Sequence, residues 1–357
     1  MLVSNQAHAI LEGAFTNFPN GHGHRMASAS QQPYSLRTNP ADPGDPEITE
    51  LSRQVQAGNL DGLRQYLART RSERDWQDRV FVLKDVAAKA SIGDLDAACE
   101  AEPQAADVFL LRCAFYAELS CTMRGTGTCD AVTKERFQNS GECLKAALAD
   151  LAKTTQLDKE DPTSYSLILH PLTIFSQHEM MKHAFQNAIA LAPDLVPAYR
   201  SVTNALSKRW GGSHEASVEF ARKAMSKAGP GSDMAACLFW AHNLVRTHYK
   251  FFDKDIQAAK LYKQNIDVRR ELDEAFDKWI APPYAVRRSS IPFLKHASAW
   301  YFVAQNRRNL ERALALTKEE MNFEAPAAAP KTKPQAPSSS TNGGRLLNWL
   351  MGSRAKR

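Results

Sequence analysis

Residues of similar type recur at an offset of 34 positions through the middle of the chain. The matching pairs are Leu151 with Phe185, Leu157 with Leu191, Tyr165 with Tyr199, Ile168 with Val202, Leu169 with Thr203, and Leu172 with Leu206. A fixed period of this length is typical of helical pairs stacked into an array, because one pair alone cannot bury its apolar face. The repeat therefore predicts helical hairpins laid side by side, an architecture that commonly serves as a binding surface.

The composition favours helices over sheets. Hydrophobic residues make up 43 % of the 357 residues, Leu and Ala are abundant, and runs of β-branched residues are rare. The stretch Asp45-Pro46-Glu47 places a capping Asp, a first-position Pro and a first-turn Glu in succession, which is a helix start signal. We predict an all-α fold whose core includes Trp240, Trp279 and Trp300.

The composition also changes along the chain and predicts four segments. Residues 1–45 form a disordered N-terminal segment, and residues 46–323 form the helical domain. Residues 324–344 are a Pro/Ser-rich linker, and residues 345–357 are a short basic amphipathic tail. The chain carries a net charge of +6, and the six basic residues after Glu324, with no acidic residue among them, account for all of it. Because residues 1–324 taken together are formally neutral, we expect no nucleic-acid partner.

One repeat unit resembles the tetratricopeptide repeat (TPR). The residues that match that family in type and spacing are Tyr165, Phe185, Ala188 and Pro193. Leu169 and Met181 depart from it, because the family has small residues at these positions for close helix contact. The resemblance implies an all-α, TPR-like helical-hairpin solenoid in which the first helix of each pair lines a concave face that binds a protein or peptide. The alternative is a helical domain without repeats.

The stretch Trp210-Gly211-Gly212-Ser213 interrupts the repeat. It resembles a motif of bacterial TPR-like proteins of unknown function, which implies a bacterial origin and the same fold and brings no known activity. The two glycines allow a turn between helices, Ser213 can cap the following helix, and Trp210 covers the joint. His214 and Glu215, with Arg209 nearby, raise the alternative of acid–base chemistry. As sequence neighbours at a helix start they point in different directions, and we predict no catalytic residue.

Three polar residues share one stripe of a predicted first helix. Arg200, Asn204 and Lys208 are spaced i, i+4 and i+8, and His170 holds the position equivalent to Asn204 one repeat earlier. A stripe of this kind suits a carboxylate or the acidic end of a peptide. The alternative is an ordinary solvated face. We therefore name His170, Arg200, Asn204 and Lys208 as candidate partner-binding residues.

Metal and cofactor sites are not expected. The six cysteines form no C-x-x-C pair, and His178 with His183, like His242 with His248, have spacings that do not suit metal binding from one helical face. No secretory signal pattern is visible, which favours reduced thiols and a cytoplasmic protein. The leading functional hypothesis is a non-enzymatic protein-interaction module or scaffold. The alternative is a peripheral adaptor in weak contact with a membrane surface through residues 345–357, and deleting that tail would distinguish the two hypotheses.

Overall fold

The computed structural model describes residues 45–125 and 132–321, with side chains described through residue 317. Within these ranges the chain is helical and contains no strand, which confirms the all-α prediction. The predicted N-terminal segment up to residue 44, the linker and the amphipathic tail lie outside the described residues. Among the described helices, none is both long enough and apolar enough to cross a membrane.

The described part of the chain forms fifteen α-helices. In chain order they are α1 Pro46–Gln56, α2 Asp61–Ser72, α3 Trp76–Ala87, α4 Ile92–Ala101, α5 Ala106–Arg124, α6 Lys134–Leu157, α7 Thr163–Ile174, α8 His178–Leu191, α9 Val196–Ala205, α10 His214–Lys227, α11 Ala236–Phe251, α12 Ile256–Gln264, α13 Ile266–Trp279, α14 Ile291–Ala304 and α15 Arg307–Met321. Short 3₁₀ turns at Lys208–Trp210, Asp233–Ala235 and Arg288–Ser290 precede α10, α11 and α14 respectively.

These helices belong to two compact units. The first unit contains the described residues from Pro46 to Ala198, and the second contains Asp45 and the described residues from Tyr199 onward. The division falls inside α9, so Tyr199 and the rest of that helix are described with the second unit.

In the first unit, most neighbouring helices pack against each other, and the alternate helices α1, α3, α5 and α7 are also in contact along the series. Helix α3 packs on α1 and α5, and α5 packs on α7, while α5 with α6 and α7 with α8 form neighbouring pairs. Three residues of the 34-residue repeat lie on a buried face of α7, since Ile168, Leu169 and Leu172 are each at most 1 % exposed. Between α7 and α8, Ser176 has a positive φ of 53°.

In the second unit, α11 is the central helix. It contacts α10, α12, α13 and α14, and its side chain Phe239 is buried among aromatic rings. Trp279 is fully buried and its indole Nε1 donates to Asp233 Oδ1 at 2.7 Å. Trp300 is also buried, as predicted, whereas Trp240 is only partly buried. The guanidinium of Arg200 lies over the Trp240 ring and covers part of it.

Candidate functional site

The Trp-Gly-Gly-Ser stretch forms the tight turn that the sequence predicts between α9 and α10. Gly211 has a left-handed φ of 90°, a conformation that side chains disfavour. Gly212 passes so close to Leu206 that an added Cβ would lie 2.1 Å from its carbonyl oxygen. Ser213 caps α10, because its side chain accepts a hydrogen bond from the Ala216 N–H at 3.0 Å. The turn therefore fixes where α10 begins and places His214 at its first position.

The predicted stripe of Arg200, Asn204 and Lys208 does not continue as one helical face. Helix α9 ends at Ala205, and Lys208 lies in the 3₁₀ turn that follows it. Positions i and i+8 share a helical face only while the helix continues, and α9 ends before position 208. Lys208 instead approaches Asp253, with 3.7 Å between Nζ and Oδ2. The helical placement predicted for Lys208 is wrong, and Arg200 and Asn204 remain on α9.

The four candidate partner-binding residues therefore fall into different surroundings. Arg200 and Asn204 are partly buried on α9, and Lys208 is exposed in the turn after it. His170 is partly buried in α7, in the first unit, where it has interactions of its own.

Arg200 belongs to a cluster of cationic and aromatic side chains from three helices of the second unit. Its guanidinium carbon lies 4.1 Å from the ring centre of Trp240 and 5.4 Å from that of Phe293. The ring of His296 on α14 stands edge-on to Trp240, with 5.3 Å between centroids. Arg246 on α11 is close enough to act electrostatically on His296. We call Arg200, Trp240, Arg246 and His296 the cationic cluster.

Among the described residues, no carboxylate pairs with either guanidinium of the cationic cluster. Arg246 Nη2 donates to the Asn243 side chain at 2.9 Å, but its buried Nε has no acceptor in the described part of the chain. The buried Nε1 of Trp240 likewise lacks an acceptor there. Buried charges in proteins are normally paired, because an unpaired charge loses its hydration without compensation. The cluster therefore presents hydrogen-bond donors and positive charge that an anion could satisfy.

The electrostatics of the cationic cluster follow from burial and like charge. Burial lowers the pKa of Arg200 and of Arg246, although a guanidinium stays charged at neutral pH. Burial, with the two arginines adding to it, lowers the pKa of His296 to about 4. His296 is therefore neutral at pH 7, and both cluster charges belong to arginines.

Arg246, Trp240 and His296 were not identified as binding residues from the sequence. They lie on α11 and α14, 40 or more positions from Arg200, and no motif marks them. The sequence does show an arginine or a histidine within an apolar helical stretch. It does not indicate which other helix packs against that residue.

A second cluster forms where the α9–α10 turn meets the end of α11. His214, His248 and Asp253 each offer one ligand atom, and these atoms all lie within 4.8 Å of one another. The imidazole of His248 points Nε2 at Asp253 Oδ1 across 3.5 Å, and its ring stacks on Phe252 at 5.0 Å. Burial lowers the pKa of His214 and of His248, and Lys208 acts on both in the same direction. We call His214, His248 and Asp253 the histidine cluster.

Glu215 takes no part in the histidine cluster. Its side chain is exposed, and hydrogen bonds at the α10 start, from its own backbone N–H and then from Ser213, lower the pKa of its carboxyl. His214 instead packs against His248 and Tyr249. The two sequence neighbours therefore face different surroundings, as their positions at the helix start predict.

A buried polar network crosses the same unit. His242 is 1 % exposed, and its two ring nitrogens lie 2.8 Å from the Tyr262 hydroxyl and 3.1 Å from Glu271 Oε2. Arg222 donates to both carboxylate oxygens of Glu271 at 2.5 and 2.9 Å. Burial raises the pKa of Tyr262, so its hydroxyl stays protonated. Every member has a partner, and the network joins α10, α11, α12 and α13.

Large apolar side chains are exposed between the end of α11 and the start of α13. They are Phe251, Phe252, Ile256, Leu261 and Ile266, with exposed fractions from 43 % to 71 %. A concentration of this kind within sixteen residues is a feature of surfaces that contact other proteins.

Comparison with known proteins yields no match. No family model, no curated protein and no solved structure matches the chain. The resemblance to TPR proteins therefore depends on the residues that carry it.

Proposed function

We propose that this chain is a non-enzymatic protein-interaction module or scaffold that holds a peptide or protein partner by a carboxylate. The observation that carries the proposal is the cationic cluster, in which Arg200 and Arg246 have no carboxylate partner within the described part of the chain. Guanidinium groups match carboxylates in shape and can bind them through two parallel hydrogen bonds. A partner carboxylate would supply the negative charge that these two side chains lack.

The helical arrangement supports this kind of function. Helices α7 and α9 begin 33 residues apart and each is followed by a second helix, a spacing similar to that of a TPR-like array. Ser217 on α10 donates to the Thr203 carbonyl on α9 at 2.8 Å, and Tyr199 contacts Phe220, which joins these two helices as a pair. We place the partner on the second unit, at the residues that surround Arg200 on α9.

The aromatic side chains of the cluster favour a peptide over a free inorganic anion. Trp240 and Phe293 lie 4.1 and 5.4 Å from the Arg200 guanidinium carbon, and a guanidinium that stacks on aromatic rings can still bind a planar carboxylate through its N–H groups. The same unit exposes apolar side chains between residues 251 and 266, and we propose that the partner's apolar residues contact them. The partner we propose therefore combines an acidic group with apolar residues.

The test compares peptides that differ only in the terminal carboxylate. A library of synthetic peptides with free C-termini and the same library with amidated C-termini are presented to the full chain. We expect capture of free-acid peptides, with amidation lowering the affinity by about tenfold or more because a charge-assisted pair is lost. The variant Arg200→Gln/Arg246→Gln should bind both libraries equally weakly.

The matched control is Arg307→Gln/Arg308→Gln, which removes the same charge from two exposed arginines. It should bind free-acid peptides as the natural chain does, since neither residue belongs to the cationic cluster. Equal capture of acid and amide peptides by the natural chain would refute the proposal. So would undiminished capture by the Arg200/Arg246 variant.

A further inference from the structure

The strongest unassigned feature outside the cationic cluster is the histidine cluster. Its three residues come from the start of α10, the end of α11 and the loop after α11. Two imidazoles and one carboxylate form a donor set that suits zinc and related transition metals. The feature does not depend on partner binding.

Distances within the cluster fit shared ligation better than direct hydrogen bonding. His248 Nε2 and Asp253 Oδ1 are 3.5 Å apart, which is long for a hydrogen bond between charged groups. Two ligands that bind one tetrahedral zinc at ~2.1 Å lie ~3.4 Å from each other. This pair is therefore already spaced as two ligands of a single ion. The third ligand atom, from His214, is within 4.8 Å of both, so a small side-chain rotation completes the set.

An independent observation concerns the unpaired nitrogens. Nε2 of His214 and Nδ1 of His248 are buried, and neither has a hydrogen-bond partner among the described residues. A buried polar atom without a partner costs free energy, and native structures contain few of them. A metal ion would use the lone pair of the His214 nitrogen.

The surroundings hold the ligands in place and leave one direction open. The ring of His248 stacks on Phe252, and the Ser213 cap fixes the backbone at the start of α10, where His214 is the first residue. Asp253 lies at the surface, with 35 % of its side chain exposed, so solvent reaches the site. Three protein ligands with a solvent-accessible fourth position is a common arrangement for bound zinc.

The positive charge of Lys208 disfavours metal binding at the histidine cluster. Lys208 Nζ is 3.7 Å from Asp253 Oδ2, the carboxylate oxygen opposite the one that faces His248. Its charge repels a divalent ion across a short distance and weakens the site. This repulsion provides a test, because removing the lysine charge must strengthen metal binding if the ion lies here.

We propose that His214, His248 and Asp253 bind one zinc ion, with solvent or a ligand at the fourth position. The experiment uses the full chain with His22→Ala/His24→Ala, so that the N-terminal Gly-His-Gly-His stretch contributes no binding. Cobalt titration followed by visible absorption reports the coordination, and zinc calorimetry gives the stoichiometry and affinity. We expect one zinc per chain and a tetrahedral cobalt spectrum.

The variants are chosen to move the affinity in both directions. Asp253→Asn keeps the side-chain shape and should lower zinc affinity by about tenfold or more, as losses around metal sites do. Lys208→Gln should raise the affinity about threefold or more by removing the nearby charge. The control His183→Ala removes an exposed histidine of α8 and should leave the affinity unchanged.

Circular dichroism of each variant establishes that it is folded before titration. Zinc binding by the His22→Ala/His24→Ala chain at less than one ion per chain overturns the proposal. An unchanged affinity in either Asp253→Asn or Lys208→Gln overturns it as well, since both residues are exposed enough to be replaced without unfolding the unit.

Discussion

At the scale of single residues, Glu271 supplies the one carboxyl of the buried network formed with Arg222, His242 and Tyr262. Burial acts to raise the pKa of Glu271, but hydrogen bonds from His242 and Arg222 outweigh it and bring the pKa to about 2, from an ordinary 4.5. A carboxyl with a lowered folded-state pKa stabilises the protein above its unfolded-state pKa. This stabilisation is lost as the pH falls from 4.5 towards 2.

We therefore expect Glu271→Gln to destabilise the protein at pH 7 by up to ~3 kcal/mol, and much less at pH 3. Chemical denaturation of the variant and the natural chain across this pH range measures the difference. The control is Glu219→Gln, because Glu219 also approaches Arg222, at 3.9 Å, but is half-exposed. A surface pair of this kind contributes at most about 1 kcal/mol. A pH-independent effect of Glu271→Gln would show that the carboxylate charge does not stabilise the unit.

Residue-level prediction from the sequence succeeded where a local pattern decides the outcome. The 34-residue repeat includes Ile168, Leu169 and Leu172, and all three residues are buried in the structure. The clusters could not be found this way, since His214 and His248 are 34 positions apart and lie on different helices. The spacing of two histidines along one helix does not indicate which histidines of different helices become neighbours when the helices pack.

At the scale of elements, the α9–α10 turn was predicted from its residues and is present. Gly211 and Gly212 serve different purposes: the first adopts a positive φ of 90°, whereas the second makes room for the Leu206 carbonyl. The sequence did not show that α9 ends before Lys208. Helical spacing describes a face only while the helix lasts, and the end of α9 depends on the turn rather than on the stripe.

The two glycines should differ in their tolerance of alanine. Gly211→Ala meets no atom within 4 Å and should cost about 1–2 kcal/mol, the strain of a left-handed residue. Gly212→Ala brings its Cβ to 2.1 Å from backbone, so the turn itself must move and the cost should be larger. Thermal unfolding of both variants measures this order.

The matched control for strain alone is Gly58→Ala, because Gly58 has a φ of 74° and also has open space around it. Gly58→Ala should lower the stability by about as much as Gly211→Ala does. A Gly212→Ala chain as stable as the Gly211→Ala chain would contradict the close approach to Leu206.

At the scale of the whole molecule, composition was enough to predict the helical class. Abundant Leu and Ala with few β-branched runs favour helices, and the described residues contain fifteen of them and no strand. The division into two compact units has no counterpart in that pattern. Periodicity reports which face of a helix is apolar, whereas a unit is defined by which helices share a core.

The first unit contains a buried ion pair that has no role in either proposed site. Arg79 donates through Nε and Nη2 to Asp161 Oδ2 at 2.9 and 2.7 Å, and the two side chains are 5 % and 2 % exposed. Removing one member of such a pair leaves an uncompensated buried charge, which costs about 3–5 kcal/mol. Arg79→Met should therefore lower the stability of the first unit by this amount.

Both proposed sites are built from residues of the second unit, so Arg79→Met should leave peptide and zinc affinities unchanged below the unfolding temperature. Calorimetric unfolding and the two binding assays on the same sample measure these effects separately. The control Arg71→Met removes a half-exposed partner of Asp158, 2.7 Å away, and should cost less than about 1 kcal/mol. A tenfold loss of peptide affinity in folded Arg79→Met would contradict the assignment of the peptide site to residues of the second unit.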